Sequence, residues 1–265
     1  MNKPGLVIGI VASAVGVMLL WASCSHQQDA AGLRQEERLA LAEDLAARGK
    51  CAKAAVQYER ILNEFPRPQV AEAARFGLAK CRMEIGDYDT AVTEFKDFID
   101  GYPKSDRVDD AMYMVARCYL KQSAEVDRDQ AKTVEALDEL NLLLRKYPDT
   151  DVKPAVEEGI REARGKLAEK EYRSGRLYFR MGDYKSAVIY FDYVVSEYGD
   201  TPWKERALLD KGEALERQGK RDQAAEIYRL IVGESPATPS GREAAGRLER
   251  LGGAGEVGAE GAPES

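Results

Sequence analysis

The stretches Gly86-Asp87-Tyr88-Asp89-Thr90-Ala91 and Gly182-Asp183-Tyr184-Lys185-Ser186-Ala187 carry glycine, aspartate, tyrosine and alanine at the same four places. Gly-Asp-Tyr is a turn signal that opens a helix, and the alanine marks a position where a neighbour packs closely. Working outward, Gly49 and Gly219 are followed at the same offset by Ala54 and Ala224. A further unit falls into register if Ala131 takes the place of the glycine, because Ala136 then follows it. At the same distance beyond the five lead positions stand Phe65-Pro66, Tyr102-Pro103, Tyr147-Pro148, Tyr198-Gly199 and Ser235-Pro236, residues that end a helix.

Each unit therefore predicts two helices joined by a turn, with an apolar period along both. A small residue recurs in the first helix, at Ala42, Ala79, Ala116, Gly175 and Gly212. A large one recurs in the second, at Tyr58, Phe95, Leu140, Phe191 and Tyr228. A helix pair cannot bury both faces alone, and a small residue on one helix admits the bulky side chain of its neighbour. This pattern resembles the tetratricopeptide repeat. The resemblance implies an all-α fold, a right-handed α-solenoid of five helix hairpins over residues 33–251.

The lead positions lie 37 residues apart from Gly49 to Gly86 and from Gly182 to Gly219, but 45 apart from Gly86 to Ala131 and 51 from Ala131 to Gly182. Two insertions follow. One is a loop over Ser123 to Gln130 inside the third hairpin. The other lengthens the first helix of the fourth unit to Val152–Met181, about 45 Å at 1.5 Å per residue. Asp151 is its expected N-cap, Pro154 fits the first turn, and Gly159 and Gly165 are places for a kink. Residues 252–265, rich in Gly, Ala and Glu without an apolar period, are expected to be a disordered tail.

The first residues point to export. Lys3 precedes an apolar run from Leu6 to Leu20 and then Trp21, Ala22 and Ser23, a signal-peptide pattern over residues 1–23. The run alone is short for a membrane of about 30 Å, although extension to Ser23 leaves room for an uncleaved anchor. Leu20-Trp21-Ala22-Ser23-Cys24 resembles the lipobox of bacterial lipoproteins, with Trp21 in place of the usual Leu. That resemblance implies lipid attachment at Cys24, and Ser25 after it implies sorting to the outer membrane, facing the periplasm. Residues 24–32 would be the lipidated linker.

Composition excludes several classes. A net charge of −7 disfavours a polyanion such as DNA. Cys51, Cys81 and Cys118 are an odd count at wide spacing, neither a disulfide framework nor a metal site, and read as small buried hydrophobes. The single histidine, His26, lies in the linker, so neither catalysis, a cofactor nor a metal is expected. Gly253-Ala254-Gly255-Glu256-Val257-Gly258 satisfies a dinucleotide fingerprint only by composition, since no strand precedes it.

The lipobox, the five units and the inserted segments are together more specific. Asp127-Arg128-Asp129-Gln130, Tyr147-Pro148-Asp149-Thr150, Leu167-Ala168-Glu169-Lys170-Glu171 and Arg180-Met181-Gly182 are similar to the BamD family of outer-membrane β-barrel assembly lipoproteins. The likeness covers nearly all of Cys24 to Leu251. It departs at Trp21, at Cys51, where the family turn usually has an aromatic, and in the tail. It implies a lipid-anchored scaffold whose later repeats bind a barrel-inserting, POTRA-containing subunit and whose earlier repeats bind unfolded outer-membrane proteins. A tetratricopeptide adaptor of another envelope complex, such as Tol-Pal or a secretion system, is the alternative, and regular repeat spacing would have suited it better.

First helices line the concave face of such a solenoid. The expected peptide-binding groove is therefore Phe76, Lys80 and Met83 with Tyr113, Arg117, Leu120 and Lys121, apolar contacts beside cations able to receive the C-terminal carboxylate of a barrel protein. Packing of Phe76 and Leu120 against a neighbouring helix is the competing reading. A second surface is expected on the long helix and the last unit, where Arg173, Arg176, Arg180 and Lys185 stand beside Tyr172, Tyr178 and Tyr184.

Overall fold

Each of the four glycines that open a predicted turn has a positive φ: 71° at Gly49, 84° at Gly86, 81° at Gly182 and 78° at Gly219. A side chain in that region is strained, so glycine is the residue that lets the second helix fold back on the first. The computed structural model describes residues 34–259 apart from Phe65, Ala124, Asp127 and Arg128, and the backbone alone from Gly253 onwards. The signal peptide, Cys24 and the linker lie outside the described residues.

Among the described residues there are eleven helices and no strands. They form two compact units that divide between Pro103 and Lys104. The first contains α1 (Gln35–Ala47), α2 (Cys51–Asn63), α3 (Pro68–Glu84) and α4 (Tyr88–Gly101). The second contains α5 (Val108–Gln122), α6 (Ala131–Lys146), α7 (Lys153–Arg180), α8 (Tyr184–Glu197), α9 (Trp203–Arg217), α10 (Arg221–Glu234) and α11 (Pro239–Ala259). Within each unit successive helices pack against one another as hairpins, the tetratricopeptide arrangement the repeat predicts.

In the first unit Ala42, Tyr58, Ile61, Ala74, Leu78 and Cys81 form one buried cluster. Phe76, Phe95 and Phe98 form an aromatic set, with Phe76 edge-on to both others at 5.8 and 5.2 Å between ring centres. All five small and all five large repeat positions are buried, and each large side chain removes more apolar area from water than its small partner.

In the second unit a missing Cβ recurs where a large side chain arrives. A Cβ on Gly159 would stand 3.0 Å from Leu140, one on Gly175 2.6 Å from Phe191, and one on Gly212 would overlap Tyr228. Gly159 therefore does not break α7, which is continuous over 28 residues. The N-terminal residue of the helix differs from expectation: Asp151 is exposed, and the Val152 amide donates instead to Thr150 Oγ1 at 3.3 Å. The Thr150 hydroxyl in turn donates to Asp109 Oδ2 at 2.5 Å, which ties the start of α7 to α5.

The described residues of the insertion between α5 and α6 are non-helical, as expected, and Gln130 fastens them. Its buried amide donates to the Glu125 carbonyl at 2.8 Å and accepts from the Thr133 hydroxyl at 2.7 Å.

The end of the chain departs from the sequence expectation. A further helix, α11, follows the fifth hairpin and runs to Ala259, past Leu251. Ala244, Leu248 and Leu251 pack onto the core of α9 and α10, and Arg247 Nη2 donates to Glu213 Oε2 at 2.8 Å. Once a helix is nucleated by such contacts, each added residue gains a backbone hydrogen bond without a new nucleation cost. Residues 260–265 lie outside the described residues.

Candidate functional site

Each half of the expected peptide groove is carried by one helix of its own unit. On α3, Phe76 is only 8% exposed and is committed to Phe95 and Phe98, while Lys80 is exposed with its ammonium 6.0 Å from the Phe76 ring centre. Met83 is half-buried. On α5, Leu120 is buried, Tyr113 is half-buried and Lys121 is exposed. Arg117 donates to Glu162 of α7 at 3.1 Å. Phe76 and Leu120 thus serve packing, and the cation at Arg117 already has a carboxylate. Lys80, Met83, Tyr113 and Lys121 are the groove residues left with surface to offer.

The second expected surface divides into an anchor and an exposed face. Tyr172 donates its hydroxyl to Asp210 Oδ2 at 2.6 Å, and Arg176 Nη1 donates to Asp210 Oδ1 at 3.1 Å. Asp210 is buried, and desolvation raises its pKa, opposed by those two partners. The Tyr172 hydroxyl is shifted up as well, first by burial and then by its bond to Asp210. Trp203 lies 5.0 Å from the Tyr172 ring, and Phe191 lies 5.9 Å from it. Tyr172 and Arg176 therefore hold α7 against α9. Tyr178 stacks on Tyr190 at 5.2 Å, and Tyr184 meets Phe179 edge-on at 5.3 Å. These tyrosines stiffen the α7–α8 hairpin.

Beside the anchor lies a groove of about 580 Å³ along α7, lined by Lys170, Arg173, Ser174, Arg176, Leu177 and Arg180. Leu177 is 48% exposed, and Met181 just beyond it is 70% exposed. Arg173 is paired with Glu169 at 2.6 Å, and Arg180 is exposed. Neither Leu177 nor Met181 was among the expected site residues. The signal was available, because both are out of phase with the buried row Val156, Gly159, Ala163, Leu167 and Gly175.

Among the described residues no group of His, Cys, Asp and Glu is placed to hold a metal ion, and no helix is long and apolar enough to cross a membrane. Hairpins closed by positive-φ glycines and small-on-large packing define the class: an all-α protein of tetratricopeptide-type helix hairpins.

The YfiO family model, described as outer membrane lipoprotein, matches residues 36–230, and the chain belongs to that family. It is similar to the protein named outer membrane protein assembly factor BamD in Caulobacter vibrioides, with 26% identity over 228 residues covering 84% of this chain and 73% of the relative. The protein of the same name in Rickettsia prowazekii is 26% identical over 186 residues, 69% of this chain and 73% of the relative. Among solved structures, the TPR2AB-domain:pHSP90 complex of yeast Sti1 is matched at 14% identity and a TM-score of 0.44, covering 84% of each chain. Both relatives are named as assembly factors, a non-enzymatic role.

Proposed function

We propose that this chain is a scaffold of outer-membrane protein assembly, attached to the outer membrane by lipid on Cys24 and facing the periplasm. The membership of residues 36–230 in an outer-membrane lipoprotein family, with relatives named as assembly factors, supports that role. The exposed α7 face carries the partner assignment. Leu177 and Met181 offer apolar area flanked by Lys170 and Arg180, which suits a partner that presents an apolar side chain beside carboxylates. The barrel-inserting, POTRA-containing subunit is that partner. Unfolded outer-membrane proteins engage Lys80 and Met83 on α3, and Tyr113 and Lys121 on α5.

The test is titration of purified POTRA domains against the wild-type chain and the double variant Leu177→Glu/Met181→Glu, whose changes touch no core residue. Binding weakened at least tenfold, with unchanged thermal unfolding, is the expected result. Equal affinity would place the contact elsewhere. Detection of acyl chains on an N-terminal Cys24 by mass spectrometry checks the anchor, and an unmodified Cys24 in membrane-extracted protein would refute it.

A further inference from the structure

Cys51 and Cys81 are thirty positions apart in the sequence and meet in the structure. Cys51 is the first residue of α2, and Cys81 lies in the last turns of α3. Cys51 packs against the buried cluster that contains Cys81, and, after burial, the neighbouring Cys51 is one of the causes that raise the pKa of the Cys81 thiol. Tyr58 belongs to the same cluster, and both cysteines are free in the structure. The surroundings hold this meeting point still. Arg82, next to Cys81, is ion-paired with Glu59 of α2, and the Tyr58 ring fills the space where a Cβ on Gly77 would lie.

We propose that Cys51 and Cys81 are an oxidation site, joined as a disulfide in the mature protein, which staples the first hairpin to the second. The proposal rests on the periplasmic placement given above, because disulfides persist in oxidising compartments and not in the cytosol. The co-reactant is a protein disulfide donor acting by thiol–disulfide exchange. The partly exposed Cys51 enters first: its thiolate attacks one donor sulfur, an S–S bond forms, the donor's own S–S bond breaks, and one donor thiolate leaves. The Cys81 thiolate then attacks the Cys51 sulfur of the mixed disulfide and expels the second donor thiolate. The two protons from Cys51 and Cys81 end on the donor, now a dithiol, which has taken the electron pair.

The order follows from burial. Cys81 is 1% exposed, and desolvation, reinforced by contact with Cys51, pushes its thiol up to about 12. It stays protonated and out of reach of bulk oxidant until Cys51 carries the donor sulfur to it. Cys118 is buried in the other unit, and its thiol is likewise shifted up to about 12 by burial, so it is not drawn into the exchange.

The experiment counts thiols on the full chain expressed in its own envelope. Cells are acid-quenched, and the protein is denatured and labelled with a polyethylene-glycol maleimide before and after reduction with dithiothreitol. The expected result is two additional labels after reduction in the wild type and in Cys118→Ser, and none in Cys51→Ser or Cys81→Ser. Oxidised protein should also melt about 5 to 10 °C above reduced protein. No gain of labels on reduction of the wild type would overturn the proposal. Equilibration of the purified reduced chain with oxidised glutathione then separates the causes. Two thiols lost in vitro but free in cells would mean that the protein does not reside in an oxidising compartment. Thiols free in both would mean that the two sulfurs cannot close.

Discussion

A Cβ placed on Gly175 of α7 would stand 2.6 Å from Cε1 and 2.8 Å from Cδ1 of Phe191 on α8. No real Cβ approaches a ring so closely, and Phe191 is fully buried, so the ring cannot swing away. The absence of one methyl group sets how near the two helices lie. The same relationship recurs between Gly212 and Tyr228, and the Tyr172 ring that locks α7 to α9 also packs against Phe191. The repeat packing and the presentation of the α7 face are therefore one construction.

Gly175→Ala should destabilise the protein by about 1 to 3 kcal/mol through overpacking, despite the better helix propensity of alanine. Urea unfolding measures it. Adding Phe191→Leu should recover part of the loss. A neutral Gly175→Ala would show that the helices separate freely.

Gly182 and Gly165 should respond in opposite directions to alanine. At Gly182 φ is 81° and no neighbour lies near, so the cost is conformational, about 1 kcal/mol or more. Gly165 is helical and faces open space, so alanine should stabilise α7 by about 0.5 to 1 kcal/mol. Thermal unfolding of the two variants beside the wild type decides it.

Asp210→Ala should cost about 2 to 4 kcal/mol, because it leaves the Tyr172 hydroxyl and the Arg176 guanidinium without their acceptor. Asp210→Asn keeps one acceptor oxygen and should cost less. Burial raises the Asp210 pKa, so the folded state holds this proton more tightly than the unfolded chain. The wild type's disadvantage from a buried charge thus fades as pH falls from neutral through the raised value. The unfolding midpoint of wild type should therefore rise relative to that of Asp210→Asn in that direction, widening the gap between them.

Asp200 behaves in the reverse sense. Arg164 Nε donates to Asp200 Oδ2 at 2.8 Å, and this bond is the main cause holding the carboxyl below its ordinary value. The stabilisation is present above the unfolded carboxylate pKa and is lost as pH falls through the depressed folded value. Asp200 is 55% exposed, so Asp200→Asn should cost within about 1 kcal/mol at pH 7 and less at pH 2. Denaturation at the two pH values, with low and high salt as a control, checks it.

The sequence by itself determined the hairpins, their turns and the small-on-large pairs. These features are local or repeat at fixed offsets, and the angle between residues along one helix is set by backbone geometry. It also contained, unread, the clue to the exposed α7 face, since Leu177 and Met181 fall out of the buried period. Only the tertiary structure decided which side chains a neighbouring helix covers or pairs. That is why Phe76 and Leu120 are core, why Arg117 is held by Glu162, and why α11 continues beyond Leu251 once Leu248 and Leu251 are docked. The meeting of Cys51 with Cys81 is of the same kind: helix against helix brings distant residues together at distances that no spacing along the chain encodes.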